Sequence, residues 1–154
     1  MRKYKPLVVS LVISLGVGGL SALLTRDAMR LYDMTAQPPL SPPDWVFSVV
    51  WPILFVLMGI AAYLVWDTDS PDRGSALGLY AAQLFFNFCW SLIFFNARRF
   101  GFALLWLILL WVLILLTTLR FYRIRSTAGK LMLPYLIWVA FAIYLNAGVW
   151  LLNR

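Results

Sequence analysis

The chain has 154 residues, of which 63% are hydrophobic and 12% charged, and it carries a formal net charge of +7. Soluble domains are about half apolar and about a quarter charged, so this composition indicates an integral membrane protein with no room for a separate soluble enzyme domain. The basic residues stand at the ends of apolar runs, where they orient helices and meet anionic headgroups. We therefore expect membrane lipids, and no nucleic acid, as partners.

The side chains that most enzymes need are missing. Cys89 is the one cysteine and there is no histidine, so we expect no internal disulfide, no metal site and no axial ligand for haem iron. All six acidic residues stand in or beside predicted loops, which leaves no intramembrane carboxylate for proton coupling. Without a Ser-His-Asp set, a Cys-His pair or a phosphate loop, hydrolase, metalloenzyme and NTPase functions are excluded, and we assign no conventional catalytic residue.

Five apolar runs predict five membrane-spanning helices, at about residues 7–24, 45–66, 75–95, 100–121 and 131–152. In the hydrocarbon core every backbone N–H and C=O group must be hydrogen-bonded within the protein, which helices of this length achieve. The predicted fold class is therefore an all-α membrane protein. We predict one domain over residues 1–154, a five-helix transmembrane bundle with a long proline-rich loop between its first two helices.

The first span follows Arg2, Lys3 and Lys5 and so has the basic start of a signal peptide. It is about long enough to cross a bilayer, whereas a signal h-region has about 7–15 residues, so we expect the helix to be retained. Small residues recur at every fourth position (Ser14, Gly18 and Ala22). This spacing predicts close packing against another helix of the same chain.

The longest polar connection runs from Thr25 to Asp44 and ends in the prolines at 38, 39, 42 and 43. Proline fixes φ, removes an amide donor and disfavours helix in the residue before it, so this segment should be stiff and extended. Loops of this length commonly serve as lids. We predict a lid that includes Pro38, Pro42 and Pro43, with Trp45 and Phe47 at the rim of the bundle.

Eight of the 13 Lys and Arg residues stand at the N-terminus and in the second and fourth loops. By the positive-inside rule this bias favours a cytoplasmic N-terminus and an outer proline loop.

The third span has the clearest polar face. Tyr80, Gln83, Asn87, Ser91 and Phe94 share one helical stripe, whereas Gly74, Gly78 and Ala82 lie roughly opposite. Polar side chains are costly in hydrocarbon unless paired, so the stripe should face the bundle interior. Two interpretations remain open: interhelical hydrogen bonds, or the lining of a cavity. The small-residue face is a predicted contact face for another helix.

Similar stripes occur on two other spans. The fifth has Tyr135, Trp138, Ala142 and Asn146, and the second includes Trp51 and Phe55 beside small residues. Large aromatics with gaps and a few neutral polar groups suit a flat, mostly apolar ligand. By contrast, Trp66, Trp106, Trp111 and Trp150 are typical of belt or lipid-facing residues.

Short motifs follow one another in a fixed order along almost the whole chain: Tyr32-Asp33, Pro38, Pro42-Pro43-Asp44-Trp45-Val46-Phe47, Trp51, Met58-Gly59, Tyr80-Ala81-Ala82-Gln83, Asn87, Phe94-Phe95, Pro134-Tyr135-Leu136-Ile137-Trp138-Val139, Ala142 and Leu145-Asn146. This ordered set resembles the TspO/MBR family, which comprises bacterial tryptophan-rich sensory proteins and the mitochondrial translocator protein, or peripheral benzodiazepine receptor. The resemblance implies a five-helix homodimer, for which the small-residue face of the third span (Gly74, Gly78 and Ala82) is the predicted dimer contact. It also implies a pocket that binds protoporphyrin IX or a related tetrapyrrole, together with isoquinoline and benzodiazepine ligands.

Carried over by motif, the pocket includes Trp51, Asn87, Phe94, Trp138 and Ala142. With the stripes, the predicted ligand-binding set is Trp51, Phe55, Tyr80, Gln83, Asn87, Phe94, Tyr135, Trp138, Ala142 and Asn146. The resemblance implies a porphyrin-binding sensory or stress-response protein of the bacterial inner membrane, without a tightly bound cofactor. Two alternatives remain: light-dependent porphyrin breakdown, which would depend on Trp51 and Trp138, or transport of small lipophiles. Gln37 and Leu40 depart from the family pattern, so the lid is where ligand preference should differ.

Overall fold

The computed structural model describes residues 4–153, among which five helices are long and apolar enough to span a membrane. In chain order they are α1 (Lys5–Asp33), α2 (Asp44–Trp66), α3 (Arg73–Ser91), α4 (Phe100–Ile124) and α5 (Ser126–Asn153), and α3 continues into a π-helical turn over Leu92–Asn96. The predicted all-helical membrane fold is confirmed. Arg2 and Lys3, which contributed to the predicted orientation, lie outside the described residues.

The helices pack in the ring order α1, α2, α5, α4, α3. Helix α4 lies against α3 and α5, α5 also contacts α2, and α1 contacts α2, α3 and the π-helical turn. Met58, Leu110 and Met132 are almost completely buried between them. Large apolar side chains such as Val12 and Ile137 are exposed on the outer faces, where hydrocarbon would surround them.

Helix α1 is longer than predicted and the loop after it is shorter. The sequence suggested a helix ending near residue 24, but α1 continues to Asp33 and the connection comprises residues 34–43. The segment from Thr25 to Asp33 has no proline or glycine to stop a helix. The helix therefore ends only as the chain approaches the prolines, although its last turns are too polar to read as a membrane span.

The connection between α4 and α5 is also shorter than predicted. Helix α5 begins at Ser126 rather than near residue 131, and Arg125 alone separates it from α4. The two helices meet closely at Gly129, where an added Cβ would lie 2.5 Å from the Cβ of Tyr122. Glycine is therefore required for this close approach.

Hydroxyl groups and a glycine join α1 to α2. Ser10 donates to the carbonyl of Gly59 at 2.7 Å, and Ser14 donates to the carbonyl of Phe55 at 2.8 Å. An added Cβ at Gly18 would lie 2.5 Å from the Phe55 ring. The predicted close packing within the chain is thus observed for Ser14 and Gly18, which leaves Phe55 positioned beside α1, whereas Ala22 is exposed and lines the cavity.

Candidate ligand-binding cavity

A cavity of about 630 Å³ lies between α1, α2, the end of α3 and α5. This volume falls within the range of roughly 300–1,000 Å³ usual for small-molecule sites. The cavity occupies the half of the bundle that adjoins the proline loop, because its lining includes the late residues of α1 and the early residues of α2. It is lined by Leu15, Gly18, Gly19, Ser21, Ala22, Thr25, Arg26, Phe47, Ser48, Trp51, Pro52, Phe55, Asn87, Trp90, Ser91, Phe94, Phe95, Trp138, Ala142, Leu145 and Asn146.

One wall is built from aromatic rings of α2 and α5. The rings of Trp51 and Trp138 are 6.5 Å apart and almost perpendicular, at 88°. Phe47 meets Trp138 edge-on at 5.7 Å, and Phe55 lies 5.8 Å from Trp51. The edge contacts of Trp138 with Trp51 and Phe47 favour fixed ring orientations, and all four aromatic residues line the cavity.

The π-helical turn positions aromatic side chains on another wall. Trp90 stacks on Phe94 with ring centroids 5.2 Å apart, and Phe94 contacts Phe95 at 4.9 Å. Turns of π-helix occur frequently at functional sites because the extra residue shifts the side chains that follow it. Here the shift places both Phe94 and Phe95 on the cavity lining.

Asn146 lines the cavity, but its amide already has protein partners. Its Oδ1 accepts from the indole of Trp90 at 3.0 Å, and its Nδ2 donates to the carbonyl of Phe100 at 2.8 Å. These bonds connect α5 with α3 and α4. Asn146 therefore orients Trp90 and joins three helices, and its hydrogen-bonding groups are largely used.

Asn87 lines the cavity and also hydrogen-bonds to a side chain in the buried core. Its Nδ2 donates to the hydroxyl of Tyr135 at 2.7 Å, and that hydroxyl donates to Oε1 of Gln83 at 2.7 Å. The Nε2 of Gln83 approaches the Sδ of Met58 at 3.9 Å. We call these four residues the buried polar chain. It runs from the cavity wall into the centre of the bundle.

Seven of the ten residues predicted to bind ligand line the cavity: Trp51, Phe55, Asn87, Phe94, Trp138, Ala142 and Asn146. Tyr80, Gln83 and Tyr135 do not. A helical stripe continues through the full depth of the membrane, whereas the cavity occupies only the half next to the proline loop. Gln83 and Tyr135 belong to the buried polar chain, and the ring of Tyr80 packs on Phe121 at 5.8 Å.

Two buried polar atoms have no hydrogen-bond partner among residues 4–153: the hydroxyl of Tyr80 and the indole nitrogen of Trp138. The Trp138 side chain lines the cavity, whereas that of Tyr80 does not. The nitrogen of Trp138 is itself buried, so the ring rather than its N–H group borders the cavity.

Among the described residues that line the cavity, Arg26 is the one with a charged side chain. It lies on α1, in the segment that the sequence analysis assigned to the first loop, and its side chain is exposed. An otherwise neutral cavity with a guanidinium at its edge suits an apolar ligand that bears an acidic group.

The proline loop is held against α5, next to residues that line the cavity. Pro38 is buried beside Gly148, and the hydroxyl of Tyr144 donates to the carbonyl of Pro39. Asn153 exchanges two hydrogen bonds with the backbone of Ala36, at 2.7 and 3.3 Å. Pro38, Pro42 and Pro43 do not themselves line the cavity.

Within the loop, the chain reverses at Pro39 and Leu40. The Ser41 amide donates to the carbonyl of Pro38 at 3.3 Å, and Leu40 has a φ of 70°. This is the geometry of a type II turn, whose third position favours glycine or asparagine. The backbone of Leu40 is therefore strained, and its side chain is 83% exposed.

The predicted dimer face of α3 points away from the cavity. Gly74 and Gly78 are exposed, and an added Cβ at either would meet nothing within 4 Å. Ala82 is half-buried. The face is thus unobstructed over its first two positions, and its role as a dimer contact stays a prediction.

Two tryptophans expected to face lipid instead connect helices. The indole of Trp106 donates to the carbonyl of Phe86 at 2.9 Å, and that of Trp111 donates to the carbonyl of Leu136 at 3.1 Å. Both are half-buried, whereas Trp66 is 51% exposed as predicted. The position of a tryptophan on an apolar helix did not reveal which indole would find a neighbouring carbonyl.

Most of the α1 wall was missed by the sequence analysis. Gly19, Ser21 and Ala22 line the cavity but are small, so their side chains give little signal of a ligand site. Trp90, in contrast, had a usable signal. It follows Asn87 by three positions and therefore shares its helical face.

Residues 8–151 match the model of the TspO/MBR family. The chain is 38% identical to tryptophan-rich protein TspO of Chlorobaculum tepidum over 96% of its own length and 94% of the relative. It is 39% identical to a tryptophan-rich sensory protein of Cereibacter sphaeroides, with 86% and 81% covered. The human translocator protein is 38% identical, with 92% and 85% covered.

Proposed function

The chain belongs to the TspO/MBR family, and from this premise we propose that it binds a porphyrin or related tetrapyrrole in the cavity between α1, α2, α3 and α5. Protoporphyrin IX is the ligand proposed for the tests below. The protein acts as a sensory or stress-response protein of the membrane, and its output depends on whether the cavity is occupied.

The aromatic cavity with a single cation at its edge is the observation that carries this proposal. A porphyrin is flat and apolar over most of its surface, which suits the walls around Trp51, Trp138 and Phe94. Its propionate groups are acidic and lie on one edge. With the macrocycle inside the cavity, that edge is directed to Arg26, which a carboxylate can meet through paired hydrogen bonds.

Tryptophan fluorescence tests the proposal. Bound porphyrin should quench the emission of nearby indoles, so the purified protein in lipid nanodiscs is titrated with protoporphyrin IX. Trp138→Ala and Asn87→Leu should weaken the affinity, because both residues line the cavity. Trp111→Ala is the control, since its indole bonds to Leu136 away from the cavity lining.

The affinity of Trp111→Ala should stay near that of the unaltered protein, while the two cavity variants lose about tenfold or more, as expected for removal of one good contact. Equal effects in all three variants would indicate nonspecific partitioning of porphyrin into lipid and would refute a specific site.

The paired indoles favour light-dependent porphyrin breakdown as a second candidate function. Trp51 and Trp138 lie 6.5 Å apart and both border the cavity, so a photoexcited macrocycle held there has two electron-rich rings beside it. Light supplies the energy and molecular oxygen the oxidant, so no acid-base pair is needed. If bound protoporphyrin bleaches under illumination at the same rate as in empty nanodiscs, this candidate fails.

Transport of small lipophiles is the weaker alternative. Vesicles containing the protein would then take up porphyrin in response to an ion gradient. The acidic residues lie outside the cavity lining and Arg26 is its sole charged member in the described part of the chain, so nothing in the cavity is suited to couple proton movement to transport.

Membrane placement and assembly complete the proposal. The protein resides in a bacterial inner membrane with its N-terminus in the cytoplasm, as the distribution of Lys and Arg favours. It forms a homodimer through the open face of α3 around Gly74, Gly78 and Ala82. Labelling of cysteines introduced at the two chain ends in intact cells tests the orientation.

A further inference from the structure

The hydrogen bonds of the buried polar chain run in one donor-to-acceptor direction, and Met58 determines which one. The Nε2 of Gln83 lies 3.9 Å from the Sδ of Met58, and both side chains are completely buried. A thioether sulfur accepts hydrogen bonds but has no proton to donate. The two ends of an amide are similar in shape, so their orientation follows from the partners. Gln83 must therefore direct its NH₂ group to Met58 and its Oε1 to Tyr135.

The direction then passes through Tyr135 to Asn87. The Tyr135 hydroxyl has one proton, and it donates this proton to Oε1 of Gln83 at 2.7 Å. Toward Asn87 the same hydroxyl can only accept. Asn87 must therefore donate through Nδ2, as observed at 2.7 Å. A buried side chain turned the other way would place two acceptors together, which costs free energy in a medium of low dielectric constant.

The remaining atom of the Asn87 amide is Oδ1. Asn87 lines the cavity, and its Nδ2 is directed to Tyr135. We infer that Asn87 presents a fixed hydrogen-bond acceptor to the cavity, and that the cavity selects flat aromatic ligands which carry an N–H or O–H donor. This inference rests on the proposed function, because it takes this cavity to be the ligand site. Among tetrapyrroles it favours open-chain forms, whose pyrrole N–H groups can turn outward, because the two N–H groups of a flat metal-free porphyrin point into its ring.

Two probes that differ only at the N–H group measure how much that donor contributes to binding. Carbazole is a flat aromatic amine with one N–H, and N-methylcarbazole differs from it by a methyl group in place of that proton. The affinity of the protein in nanodiscs for each probe is measured by displacement of protoporphyrin, with partitioning into empty nanodiscs subtracted. We expect about tenfold tighter binding of carbazole, the usual consequence of leaving a buried acceptor unpaired. The infrared N–H stretch of bound carbazole should also move to lower frequency.

Met58→Leu tests the direction of the chain at a distance from the ligand, since Met58 does not line the cavity. Leucine keeps the volume but removes the acceptor, so Gln83 can turn and the Asn87 amide can follow. The ratio of the affinity for carbazole to the affinity for N-methylcarbazole should fall toward one. Met132→Leu is the matched control: Met132 is equally buried, lies outside the cavity lining, and should leave the preference unchanged.

The outcomes separate this inference from the proposed function. If protoporphyrin binds but the unaltered protein takes both probes equally, or the preference survives Met58→Leu, the inference is overturned and porphyrin binding stands. If carbazole is preferred in direct titration and protoporphyrin does not bind, the acceptor is supported and the porphyrin proposal fails. Binding of neither probe would overturn the inference.

Discussion

Gly148→Ala should loosen the proline loop without touching the cavity. A Cβ at residue 148 would lie 2.4 and 2.5 Å from two ring carbons of Pro38. Carbon atoms in contact rest at about 3.5–4.0 Å, so the proline ring must retreat by about 1 Å. The loop is a surface segment, and we expect it to lift from α5 rather than to strain the helix.

The expected effect of Gly148→Ala on closure of the loop follows from the contacts between the loop and α5. Forcing an extra methyl group into a packed site costs about 1–3 kcal/mol. The hydrogen bonds from Tyr144 and Asn153 keep the loop tethered, so the protein remains folded. If the loop limits ligand exchange, a loss of about 1 kcal/mol in its closure should speed release of protoporphyrin about fivefold, with a smaller effect on affinity.

Stopped-flow fluorescence measures this release when porphyrin-loaded nanodiscs are mixed with an excess of empty acceptor vesicles. Gly16→Ala is the matched control, because Gly16 also lies inside a helix but its added Cβ meets nothing within 4 Å. Hydrogen exchange in residues 34–43 shows whether the loop has moved. Faster exchange in the loop with an unchanged rate of porphyrin release would refute its role as a lid.

Two further predictions concern the core and the assembly. Tyr135→Phe removes a hydroxyl that joins Asn87 to Gln83 and should lower the free energy of unfolding in detergent by about 1–3 kcal/mol, whereas an unchanged value would mean that the buried polar chain contributes nothing to stability. Gly78→Leu or Ala82→Leu should shift the protein from dimer to monomer on size-exclusion chromatography with light scattering, and the absence of a shift would move the interface elsewhere.

Helix number and the cavity-facing sides of α2, α3 and α5 were predictable from sequence, because long apolar runs and the helical period report them directly. Trp51, Asn87 and Trp138 were found in this way. The helical period shows which side of a helix a residue is on, but not how deep in the membrane it lies. Asn87 and Gln83 share one stripe, yet one lines the cavity and the other lies behind it.

The ends of the helices and the small-residue wall of the cavity on α1 were harder to predict. Helix α1 continues beyond its apolar part to Asp33, because nothing in the segment breaks a helix, and so Arg26 lies on a helix rather than in a loop. The direction of the buried polar chain was also hidden. It depends on Met58 meeting Gln83 across two helices, and a methionine in an apolar span carries no sequence signal of such a contact.

Occupation of this cavity by porphyrin can be tested by filling the cavity with a larger side chain. Ala142 lines the cavity, and Ala140, two positions earlier on α5, is exposed on an outer face. Protoporphyrin affinity is measured for Ala142→Phe and Ala140→Phe in nanodiscs, with thermal unfolding confirming that both are folded. We expect an affinity loss of about tenfold or more for Ala142→Phe and none for Ala140→Phe. Equal affinity in folded preparations of both variants would contradict it.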